Sequence, residues 1–103
     1  MTIEDFKKTL KDSGPGGGSK YLQALWFDGA GDWSKAHEVS QEIHDSAGSW
    51  IHAYLHRKEG DLGNAGYWYT RAGKEMPDYS LEQEWTELVL NFLELENKKS
   101  HTT

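Results

Sequence analysis

His52, His56 and Glu59 are the residues whose types and spacing point most directly to chemistry. On a helix they fall at i, i+4 and i+7 and share a face, two imidazoles one turn apart with a carboxylate beyond them. Such a set can hold a divalent ion by three ligands and leave a coordination position open. His52-Ala53-Tyr54-Leu55-His56 lacks the glutamate that a helical metalloprotease motif places after its first histidine, so the general base of that chemistry is missing. Arg57 and Lys58 stand beside the set and oppose a cation. The same face also reads as a polar, partner-facing helix surface.

Other constellations carry less. The stretch Ser13-Gly14-Pro15-Gly16-Gly17-Gly18-Ser19 invites a phosphate-loop reading. The Gly-x-x-x-x-Gly-Lys-Ser/Thr pattern is not met, however, because Tyr21 stands where a hydroxyl ligand for magnesium belongs. A flexible connector is the simpler reading. Ser40 lies one turn from His37 and His44, but no third group orients a base and no oxyanion donor stands out. His37 and His44 themselves read as boundary residues of a helix, each with one satisfied hydrogen bond.

The elements that must position these residues are announced by a pattern written twice. Gly31, Asp32 and Ala36 recur as Gly60, Asp61 and Ala65, each 29 positions on. The glycine permits the left-handed conformation that ends a helix, and the aspartate caps the next one at its positive end. Trp33 or Leu62 follows, then an alanine small enough to let two helices approach closely. This Gly-Asp-[Trp/Leu]-x-x-Ala arrangement, preceded by Ala24-Leu25 or Ala53-Tyr54, resembles the turn of tetratricopeptide repeats over about half of the chain.

Helical periodicity extends the pattern outward. Thr2 and Asp5 form a capping box before Ile3, Phe6 and Leu10, and helices are predicted near 19–28, 33–44, 47–58 and 62–72. Trp33, Ala36, Val39 and Ile43 face inward on the second of these. The run Tyr67-Trp68-Tyr69 cannot be buried against one neighbour alone, so Trp68 and Arg71 are candidate interface anchors. Pro77 stops the repeats, Ser80 caps a last helix, and Leu81, Trp85, Leu88, Phe92 and Leu95 give it an apolar stripe widened by Val89 and Leu93. Residues 97–103 read as a frayed tail. The expected organisation is one all-α domain over 1–103, comprising an N-terminal helix (1–12), a glycine-rich linker (13–18), two TPR-like hairpins (19–45 and 46–73) and a capping helix (80–97). The resemblance implies that these form a right-handed α-α superhelix.

Composition narrows the partners. A net charge of −6 argues against nucleic-acid and anionic-membrane surfaces and suits a basic peptide. The absence of cysteine removes disulfides and thiolate metal sites. No apolar run approaches the roughly 20 residues that span a bilayer, and a soluble, cytoplasmic protein is the expectation. What the tetratricopeptide resemblance implies is a non-enzymatic module with no cofactor, binding a protein or peptide on a concave surface. Gln23 and Phe27 from one hairpin and His52 and His56 from the other would line it. The alternative is a small-molecule or metal site built from His52, His56 and Glu59 with Trp33, Trp50 and Trp68. A third reading makes the broad stripe of the last helix a homodimer seam.

Overall fold

The computed structural model describes residues 1–101, and the side chains of 99–101 are left aside. No strand occurs among the described residues, so the chain is all-α. Helix α1 (Ile3–Lys8) runs into a 3-10 turn (Thr9–Lys11), and α2 (Lys20–Gly29), α3 (Trp33–Gln41), α4 (Ser46–Lys58), α5 (Leu62–Ala72) and α6 (Leu81–His101) follow. No described helix is long and apolar enough to cross a membrane.

Short polar side chains open each helix by taking up backbone N–H groups that have no partner inside it. Thr2 Oγ1 accepts from the Asp5 N–H at 3.1 Å, and the Asp5 carboxylate accepts from the Thr2 N–H at 3.4 Å. Asp32 accepts from the Lys35 N–H at 3.0 Å, Asp45 from Gly48 at 2.7 Å and Asp61 from Asn64 at 3.2 Å. The two written copies adopt one backbone geometry. Gly31 and Gly60 sit at φ 89° and 87°, where a Cβ is disfavoured. One residue later the Asp32 N–H donates to the Phe27 carbonyl at 2.8 Å, and the Asp61 N–H donates to that of His56 at 3.0 Å. Ala36 and Ala65 are both 0% exposed, the close contacts their size permits.

Helix α3 ends at Gln41, three residues short of the periodic pattern. The chain turns early so that Ile43 can lie against Gly48, where a Cβ would come within 2.5 Å of the Ile43 carbonyl. Helix α4 is the centre of the molecule, and every residue from Gly48 to His56 is buried. At 3.6 residues per turn, Trp50, Tyr54 and Arg57 point one way and His52 and His56 roughly the other. The first face meets α6 and the end of α2: the Trp50 N–H donates to Glu84 at 3.2 Å, and the Tyr54 hydroxyl donates to buried Asp28 at 2.6 Å.

Helix α6 lies across α1, α2 and α4. Trp85, Leu88, Val89, Phe92 and Leu93 are buried, and Phe92 stacks on Tyr21 with ring centroids 4.5 Å apart. The chain's own helix therefore packs on the first helices of both hairpins. Leu95 from the expected stripe is 45% exposed, because α6 runs on past the start of α2, where Glu96 accepts from the Ser19 N–H at 2.7 Å. Leu90 is also exposed, but it stands about 140° around the helix from Leu95, so the two form no common seam. The helix continues through residues expected to fray, and Thr102 and Thr103 of that tail lie outside the described residues.

One carboxylate ties these helices together. Glu84 on α6 is 0% exposed and accepts from Arg57 Nη1 at 2.9 Å, from the Tyr69 hydroxyl at 2.7 Å and from Trp50 Nε1. Removing one partner of such a pair strands the other charge in a dry environment. Glu84→Ala should therefore cost about 3–5 kcal/mol, read as a lower urea midpoint at an unchanged slope. A loss below about 1 kcal/mol would show that Arg57 finds water instead.

Candidate metal centre

The face of α4 turned away from α6 brings His52 and His56 against α3 and α5. His37 of α3 joins them, and one ligand nitrogen from each of the three imidazoles lies within 4.8 Å of the others. The rings are held in a stack of aromatic neighbours. Trp33 lies flat on His37 at 4.9 Å and 11°, and Trp68 lies flat on His52 at 4.0 Å and 11°. His37 stands edge-on to both His52, at 4.7 Å, and His56, at 5.1 Å. Trp33 is itself anchored, since its indole N–H donates to the Leu55 carbonyl at 2.8 Å.

Two details define the electronic state of the cluster. His56 Nδ1 lies 2.6 Å from Glu59 Oε1, and a carboxylate offers only lone pairs, so Nδ1 carries the proton and donates it. In the neutral ring that tautomer leaves the lone pair on His56 Nε2. His37 Nε2 is buried and has no hydrogen-bond partner among the described residues. An unsatisfied buried nitrogen costs on the order of 1–3 kcal/mol and calls for an explanation.

Burial pushes the His52 imidazole down to about 4 from its ordinary 6.5, and neighbouring His37 and His56 push the same way. His37 is also lowered, first by burial and then by His56, with Glu59 opposing. Burial thus favours the neutral form of His37 and His52, the form in which imidazole ligates metal.

Two groups of possible ligands occur among the described residues, His37 with His52 and His56, and His56 with Glu59 and Asp61, so the expected His52, His56 and Glu59 are divided between them. Glu59 is the C-cap residue after α4, and seven residues of helix separate it from His52 by about 10 Å along the axis. It meets His56 together with Asp61, while His37 meets both His52 and His56. In sequence, the one hint of His37's position is its place directly after Ala36, the residue that marks the close helix contact. Of the residues expected to line a groove, Gln23 donates its amide to the Gly18 carbonyl at 3.0 Å. Phe27 meets Trp26 edge-on at 5.3 Å and lies under Lys35. Both belong to α2, whereas the cluster is built from α3, α4 and α5. Arg71 reaches the cluster's margin, its guanidinium 5.2 Å over the Trp68 ring. Trp50 belongs to the opposite face of α4, against α6.

These features define an all-α protein with a histidine-lined centre between its hairpins. No protein-family model, no curated protein and no solved structure matches the chain.

Between pH 6.5 and about 4 the unfolded chain takes up a proton at His52 that the folded chain refuses. Stability of the metal-free protein should therefore fall as pH drops through that window, by up to roughly 1.4 kcal/mol per pH unit for this proton. Thermal melts at constant ionic strength should show a flatter pH slope in His52→Gln. An identical slope would place the titration elsewhere.

Proposed function

We propose that this chain is a metal-binding protein that holds a zinc-class divalent ion at His37, His52 and His56 and leaves one coordination position open. The observation that carries this reading is the convergence of three imidazoles from two helices, among them His37, whose Nε2 is buried and has no hydrogen-bond partner among the described residues. Imidazole donors suit zinc, copper and nickel, whereas magnesium and calcium prefer oxygen. A tetrahedral zinc would bring the nitrogens to about 3.3 Å from one another, from separations within 4.8 Å in its absence. Glu59 plays the outer part common at such sites, accepting the Nδ1–H of His56 so that Nε2 faces the ion and its basicity rises. Trp33 and Trp68 restrict the rings on either side. The net charge of −6 further favours cation uptake.

An interaction module of the tetratricopeptide kind is the second reading, supported by the matching turns at Gly31 and Gly60. Binding of a basic peptide that survives Gln23→Ala and Phe27→Ala would remove its expected groove.

Zinc titrated into chelator-treated protein should bind with a measurable heat and raise the melting midpoint by several degrees at about a hundred times the dissociation constant. His37→Ala and His52→Ala should each abolish that shift, and Glu59→Gln should weaken binding about 10- to 100-fold. A His37→Ala variant that binds zinc as tightly as the parent would overturn the assignment.

A further inference from the structure

Beside the histidine cluster lies a cleft of about 560 Å³, formed by the α3–α4 link, the first turn of α4 and one side of α5. His52 and Trp68 belong to both the cluster and the cleft wall, and His44, Ser49 and Arg71 line the cleft further out. We infer that this cleft receives a short dicarboxylate, one carboxylate completing the coordination of the bound metal and the other meeting Arg71. The inference rests on the metal-binding reading of the preceding section.

The open position has to face somewhere, and His52 is the ligand that connects it to space large enough for a small molecule. A volume of this order lies within the usual range of small-ligand sites. The charges then select the ligand. Arg71 has no carboxylate partner among the described residues. Its Nη1 donates to the Tyr67 hydroxyl at 3.1 Å, which braces the guanidinium and leaves further N–H groups of its fork for a ligand. Asp45, the carboxylate on the cleft wall, is turned onto the Gly48 N–H at 2.7 Å and also accepts from the Tyr21 hydroxyl. With metal bound, the cleft therefore has two positive poles. Trp68 links them: its ring stacks on His52 at 4.0 Å, and the Arg71 guanidinium lies 5.2 Å from its centroid. The His52 ring and the Arg71 guanidinium thus lie within about 9 Å of each other, a span suited to a short dicarboxylate with one carboxylate at each pole. The Trp68 ring edge offers the apolar surface on which its methylene chain would lie.

The test uses the full chain loaded with cobalt, a spectroscopic stand-in for zinc, and titrated with glutarate or acetate. Glutarate should change the visible bands of the bound cobalt and bind about tenfold or more tightly than acetate. Metal-free protein should not bind it measurably. Arg71→Gln, at a solvent-exposed position, should keep its metal affinity and lose the preference for glutarate, leaving the two acids alike. Cobalt bands that ignore glutarate, or a preference that persists in Arg71→Gln, would overturn the inference while leaving the metal site intact. Failure of the parent protein to bind cobalt or zinc would overturn both readings together.

Discussion

A carboxylate removed from water is tolerated only where donors surround it, and at Glu84 the donors come from two other helices. Arg57 and Trp50 approach from α4, and Tyr69 approaches from α5. Satisfying this one group fixes the rotation of α4 about its axis, because Trp50 and Arg57 must both face α6. His52 and His56 are thereby sent to the far side, into the space between α3 and α5. Asp28 repeats the device, taking the Tyr54 hydroxyl at 2.6 Å and Lys58 Nζ at 2.8 Å and tying the end of α2 to the same helix. The site on one face of α4 therefore depends on charges settled on the other.

That dependence explains how three histidines can be packed together in a protein of this size. Imidazoles in mutual contact repel one another when charged, and their burial already lowers His37 and His52. The flanking indoles act in the same direction by excluding water, and Glu59 holds His56 in one tautomer. His37 Nε2 remains without a hydrogen-bond partner among the described residues. A polar cleft lies beside His52, at the edge of the cluster.

Much of the scaffold was legible in the residues because its signals are local. Thr2, Ser19, Asp32, Asp61 and Ser80 each cap a helix through a bond spanning three residues, and Gly31 and Gly60 impose the same turn wherever they occur. Where a helix end depends on a neighbour, local reading failed. Helix α3 stops at Gln41 because Ile43 must reach Gly48, a contact that no periodicity encodes. Leu95 looks like core by spacing and is exposed, since spacing is blind to where the partner helix begins.

The amino-acid sequence by itself determined the all-α class, the two matching turns, and the pairing of His52 with His56 on one face of α4, because i, i+3 and i, i+4 relations are properties of a single helix. Only the tertiary structure decided the rest. It brought His37 from α3 to that pair, set Glu59 against His56 beside Asp61, and packed α6 on the first helices of both hairpins. Each of those outcomes turns on how one helix is rotated against another, and that rotation is fixed by distant groups such as Glu84, Arg57 and Trp50.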